Sequence, residues 1–221
     1  MAQIFKPSAD VWLRAAALVV FLAIVFGGVF GTGLARSSYA TRQGWPIDQT
    51  VPFSHKHHAG DLGIDCRYCH VDVERGPVAG IPPTYTCMTC HSQLWTGAPM
   101  LAPVRDSLAS GQPLVWTRVA KLPQYVYFDH QIHIARGVPC VECHGRMDEM
   151  PLAYRAHALE MRFCLDCHRD PAPHLRPPDQ VTRMDWSDWD KVPAHRSYGQ
   201  AAMKADHIQP AKLTDCGLCH R

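Results

Sequence analysis

The residues with the plainest chemistry are ten cysteines and fourteen histidines. All ten cysteines fall in five CxxCH motifs: Cys66-Arg-Tyr-Cys69-His70, Cys87-Met-Thr-Cys90-His91, Cys140-Val-Glu-Cys143-His144, Cys164-Leu-Asp-Cys167-His168 and Cys216-Gly-Leu-Cys219-His220. Two thiols at this spacing form thioethers to the vinyl groups of one haem, and the adjacent imidazole takes one axial position on its iron. Zinc knuckles use CxxC in pairs, so five would leave one over, and zinc gives no reason for a histidine after every second cysteine. A redox dithiol gives no reason for five copies. The motifs therefore predict five covalently attached haem c groups, with His70, His91, His144, His168 and His220 as proximal ligands.

Nine histidines remain, and four of them are ordered by a repeat. The stretch FSHKHHAGDLGIDCRYCH at 53–70 returns as YFDHQIHIARGVPCVECH at 127–144. His55 and His58 recur as His130 and His133 at an offset of 75, while Cys66 recurs as Cys140 at 74. Each pair is spaced for one helical turn, where imidazoles at i and i+3 share a face and can reach two different irons. Each copy is followed by a second CxxCH, at Cys87 and at Cys164, so the unit is a di-haem module used twice. The fifth motif, at Cys216, has no partner copy.

If every iron is bis-histidine, the distal ligands are His55, His58, His130, His133 and one more. His57 aligns with Ile132 in the second copy and reads as incidental. His207 precedes Cys216 by nine residues, close to the gaps of eleven and ten before Cys66 and Cys140, and is the first choice. His195, His157, His174 and a methionine, Met161 or Met203, stay open. Irons filled on both sides have no position for substrate, which favours electron transfer over catalysis, and no catalytic residue is assigned.

These sites need elements to hold them. The chain has 221 residues, eighteen of them proline, too many for long helices or a continuous sheet in the haem-bearing part. The expected fold is mostly coil with short helices wrapped round stacked haems, plus one N-terminal transmembrane helix. From Ala15 to Ala35 there are 21 uncharged residues, AAALVVFLAIVFGGVFGTGLA, which as a helix span about 31 Å, the thickness of a hydrocarbon core. Gly33-Leu34-Ala35 resembles a signal-peptide cleavage site, but the run exceeds the usual length of a signal core, so an uncleaved anchor is expected. Flanking charges are balanced, Lys6 and Arg14 against Arg36 and Arg42. The haem motifs orient it instead, since haem is attached outside the cytoplasm: N-terminus inside, remainder on the periplasmic side. Gly27 and Gly31 form a GxxxG that would let another membrane helix approach.

The expected organisation is a tail and anchor at 1–40, a first di-haem module at 41–100, a linker and second module at 101–178, and a C-terminal segment at 179–221 carrying the fifth haem. The linker holds one short helix at Val104–Ser110. The run RDPAPHLRPP at 169–178 reads as an extended arm. DWSDWD at 185–190 is either a docking surface or packing of Trp186 and Trp189 against haem edges. The formal charge of +2 argues against nucleic acid as a partner.

The FxHxxH before CxxCH is similar to class III (c7-like) multihaem cytochromes. The anchor, two modules, VECHGRMDEM at 141–150, MRFCLDCHRDP with LRPP at 161–178, and a terminal DCGLCHR together resemble the pentahaem cytochrome subunit of bacterial alternative complex III. That resemblance implies a quinol-oxidising membrane complex with an iron–sulfur subunit, polytopic quinol-binding subunits and a mono-haem cytochrome, relaying electrons toward a periplasmic acceptor. The alternative is a stand-alone quinol dehydrogenase of the NapC/NrfH type. In those chains the first haem motif follows the anchor closely, whereas here 30 residues separate Ala35 from Cys66.

Overall fold

The computed structural model describes residues 4–6, 8–185 and 193–220. It divides into two compact units, residues 1–43 and 44–221. The first is built on helix α1, Ser8–Ala35, followed by the short α2, Ser38–Thr41. α1 starts seven residues before the uncharged run because Asp10 and Arg14 stand one turn apart and form an ion pair of 2.9 Å, so the polar end continues the helix. No residue of α1 is buried, and it is long and apolar enough to cross a membrane. Its glycines at 27, 28, 31 and 33 have open space beside them.

The second unit has no β-strand among its described residues, only the isolated bridges Pro46 with Tyr154 and Val126 with His220. Its helices are short: a single π-helical turn at Lys56–Asp61, then α3 Cys66–Cys69, α4 Thr84–His91, α5 Ala102–Ser110, α6 His130–Ala135, α7 Cys140–His144, α8 Met161–Arg169, α9 Pro193–Ala205, α10 Pro210–Leu213 and α11 Cys216–Cys219. Each CxxC thus sits on its own helix, and in α3, α7 and α11 the residue before the first cysteine caps the turn. Asp65 and Asp215 accept from the second helical N–H at 2.8 Å, and Pro139 precedes α7 in extended conformation. The predicted linker helix is present two residues longer, as α5.

The apolar core is small and split. One cluster joins Val51, Leu101 and Val104, the other Val73, Ile134 and Val181. Polypeptide packing alone therefore covers little, as expected of a chain whose interior is meant for porphyrin.

The proline-rich run departs from expectation. Instead of an extended arm, it holds 3-10 turns at Ala172–His174 and Pro178–Gln180, with Ala172, Leu175 and Arg176 buried. The reason is a pair of close backbone approaches. Gly137, with φ +80°, lies against the backbone of Arg176, whose N–H donates to its carbonyl at 2.8 Å. Gly199 on α9 lies against the Ala172 carbonyl, where a Cβ would overlap it. Residues 186–190 of the DWSDWD run, with Trp186 and Trp189, lie outside the described residues.

Candidate haem-binding sites

The first copy places Phe53 as the wedge between its two histidines. The ring lies 4.9 Å from His55 at 85° and 4.4 Å from His58 at 23°. In the second copy Phe128 lies 4.7 Å from His130 at 90° and 4.5 Å from His133 at 28°. The duplication seen as a residue offset is thus a duplication of ring geometry. Behind the second histidine the same bond recurs, from His58 Nδ1 to the Ser54 carbonyl at 2.9 Å and from His133 Nδ1 to the Asp129 carbonyl at 2.7 Å.

Each of these four histidines faces one histidine of a CxxCH motif. His55 and His70 have ring centres 6.5 Å apart with planes 5° apart; His130 and His144 repeat this at 6.3 Å and 6°. His58 pairs with His91 at 6.2 Å, and His133 with His168 at 6.1 Å. The planes are 63° apart in the former and 21° in the latter, the main departure between the copies. An imidazole nitrogen binds a transition metal at about 2.0 to 2.1 Å and stands roughly 1.1 Å from the ring centre, so two imidazoles on opposite sides of one ion have centres about 6.2 Å apart. The four separations fit one intervening metal each.

The nitrogens are also turned correctly. Besides His58 and His133, the Nδ1 of His70 bonds the Gly80 carbonyl at 2.7 Å, His91 that of Leu94 at 3.2 Å, His130 that of Pro77 at 2.8 Å, His168 that of Leu213 at 2.9 Å and His220 that of Tyr125 at 3.2 Å. A carbonyl only accepts, so Nδ1 carries the proton and Nε2 is left as the metal-binding lone pair. His55 is different: its Nδ1 is buried with no hydrogen-bond partner. Burial, reinforced by His70, His58 and His144, lowers His55 to a pKa of about 4, and burial likewise lowers His144 to about 4. Both imidazoles are neutral at physiological pH, the form that ligates metal. None of the ten cysteines is tied up in a disulfide. Burial first, then neighbouring charge, pushes Cys143 and Cys167 up to about 12.

His220 has Tyr125 as its ring neighbour, 5.9 Å away at 27°. His207 stands exposed at the end of α9 with a left-handed φ of 55°. Of the other spare histidines, His157 stacks on Phe163 at 4.9 Å, and His174 bonds Glu142 at 2.9 Å. His57, read as incidental, stacks on Trp95 at 5.8 Å and 15°, and Trp95 is itself 6.4 Å from His91. Trp95 was not foreseen as part of the site; four residues past His91 in the chain, it carries no motif that would mark it.

Five CxxCH helices and four opposed histidine pairs, on a chain with one membrane-length helix, define a multihaem c-type cytochrome. No family model matches the chain. It is 30% identical over 174 residues, 78% of this chain and 68% of the relative, to the multihaem cytochrome c subunit of menaquinone reductase from Nitratidesulfovibrio vulgaris strain Hildenborough. The chain belongs to that family of multihaem cytochrome c subunits.

Proposed function

We propose that this chain is a membrane-anchored pentahaem electron-transfer subunit of a quinol-oxidising complex, passing electrons toward a periplasmic acceptor. The observation that carries the reading is the set of four histidine pairs 6.1 to 6.5 Å apart, each joining a repeat histidine to a CxxCH histidine. Bound haem would supply an iron that cycles between ferric and ferrous states. The chain's own residues do the rest. Cys66 and Cys69, Cys87 and Cys90, Cys140 and Cys143, Cys164 and Cys167, and Cys216 and Cys219 form the thioethers. His70 with His55, His91 with His58, His144 with His130 and His168 with His133 would each hold the iron of one haem between two imidazoles and keep water and substrate from it. His220 is the fifth proximal ligand, and His207, on spacing alone, its proposed distal partner. The Nδ1 bonds to backbone carbonyls hold His58, His70, His91, His130, His133, His168 and His220 in one orientation and raise the basicity of Nε2.

α1 is the anchor, with its N-terminus on the cytoplasmic side and the haem-bearing unit on the periplasmic side. The open glycine face of α1 suits close approach by another membrane helix. The full motif order supports an assembly like alternative complex III, with iron–sulfur, polytopic quinol-binding and mono-haem cytochrome subunits. A second reading is favoured by the relative's name: the same relay run in reverse, delivering electrons to reduce menaquinone. The stand-alone quinol dehydrogenase is disfavoured, because the relative is a subunit of a larger enzyme.

Gentle solubilisation and affinity isolation of the full chain tests this. The expected result is about five haems per chain, low-spin, accompanied by iron–sulfur and polytopic subunits, with the haems reduced on addition of a quinol. Isolation of the chain alone with quinol-oxidising activity refutes the subunit role. Haem reduction only by a periplasmic donor, followed by menaquinone reduction, establishes the reverse direction.

A further inference from the structure

The five motifs lie next to one another in an order unlike their order in the chain. The second adjoins the first: Tyr68 and Thr89, inside their respective CxxC turns, are hydrogen-bonded at 3.1 Å. The first adjoins the third through two consecutive residues. Thr182 donates its hydroxyl to Asp65, the cap of α3, at 2.9 Å, while the N–H of Cys140, first residue of α7, donates to the Val181 carbonyl at 3.0 Å. Across this strap the Cys66 thiol also lies 4.0 Å from the Thr182 carbonyl.

The third adjoins the fourth. α6 supplies His130 to His144 and His133 to His168. The fourth adjoins the fifth. α10, which leads into the fifth motif, packs on α8, and His168 bonds the Leu213 carbonyl at 2.9 Å. Exposure follows the same order. Cys90 and Cys216 are exposed, and the other eight cysteines are partly buried.

We propose that the five haem-binding motifs form one unbranched relay in the order second, first, third, fourth, fifth, entered and left at the exposed second and fifth motifs. The proposal rests on the ligand pairs assigned above. Each transfer moves one electron from a ferrous to a ferric iron with no bond made or broken. It requires only a one-electron donor protein at one end and a one-electron acceptor protein at the other. The two copies therefore meet through their leading motifs, Cys66 and Cys140, and their trailing motifs point outward. An electron crossing the whole relay moves against chain order in the first copy and with it in the second.

The test uses full-length holoprotein in detergent and an EPR-monitored redox titration. A methionine in place of one distal histidine raises that iron's potential, so it is reduced first and shifts the midpoints of its immediate neighbours. His58→Met, at an end, is expected to shift one other ferric signal; His55→Met, in the interior, is expected to shift two, one of them the signal altered in His130→Met. If His58→Met shifts two signals and His55→Met one, the order follows the chain and the proposal is overturned. Absence of the methionine-to-ferric-iron charge-transfer band in the variants overturns the ligand assignment, and the order with it. Where a variant does not fold, proton NMR cross-relaxation between haem substituents of the unaltered protein decides. Contacts between the first and third haems support the relay, and contacts between the second and third overturn it.

Discussion

Replacing His133 by alanine removes one imidazole from a site whose neighbouring histidines are engaged elsewhere. The ring faces His168 with 6.1 Å between centres, and nothing else on α6 points that way, since His130 is parallel to His144 at 6.3 Å. His157 is stacked on Phe163 and His174 is bonded to Glu142, so neither is free to move in. The haem itself stays attached, because Cys164, Cys167 and His168 are untouched. With the five haems proposed above, one iron of five would lose one ligand, so about one fifth of the ferric iron is expected to pass from low-spin to high-spin, with the other four signals in place. The assay is EPR spin quantification of the purified full chain, with total haem counted by the pyridine haemochrome and covalent attachment checked by haem staining of a denaturing gel. Two high-spin irons would mean that His133 supports more than one site. Loss of staining would mean that the thioethers depend on it, and an unchanged low-spin spectrum would mean that it is no ligand. Any of these outcomes refutes the pairing.

Two further outcomes follow from the same geometry. His207→Ala is expected to convert only the fifth iron to high-spin, read as a single new signal that combines additively with that of His133→Ala; no change in spin state would remove His207 from the ligand set. Gly199→Ala places a Cβ on the Ala172 carbonyl, so α9 must shift at a cost of about 1 to 3 kcal/mol; thermal unfolding of the holoprotein should begin several degrees lower, with haem content unchanged, and an unshifted transition would show that α9 does not depend on that contact.

The site was more legible in the sequence than the fold. Proximal histidines are fixed by covalent chemistry that demands contiguous residues, so five CxxCH motifs could be read directly. His55, His58, His130 and His133 stood out because duplication preserved their spacing, but spacing alone could not say which CxxCH histidine each faces. That answer depends on how α4 and α8 fold back onto the histidine turns, a tertiary matter seen only in the pairs with His91 and His168. The strap at Val181 and Thr182 was invisible for the same reason: neither residue type carries a signal, and each acts through bonds to residues more than 40 positions away. The proline-rich run misled because PPII composition describes an isolated segment. Here Gly137 and Gly199 allow two backbones to close on it.

The one-residue slip between the copies has a structural resolution. His55 precedes Cys66 by eleven residues, His130 precedes Cys140 by ten, and yet the Phe–His–His geometry and the first histidine pair agree between copies within a few tenths of an ångström. The surplus residue lies in the π-helical turn Lys56–Asp61, where the second copy has the ordinary α-helix α6. The Leu62 N–H reaches back five residues to the His57 carbonyl, so the turn is wider by one residue without displacing His55 or His58. Such a turn is less favourable than an α-helical one, and it is held from outside by the Lys56 N–H on the Met150 carbonyl at 3.0 Å and by Gly60 seated against the backbone of Asp148. Deleting Ala59 should therefore return the turn to α-helical form and leave all five irons low-spin, since the second copy shows that a ten-residue gap suffices. If instead the deletion turns the first or second iron high-spin, the extra residue is needed to bring His55 or His58 to its partner, and the π turn is a requirement of the first module and not an absorbed insertion.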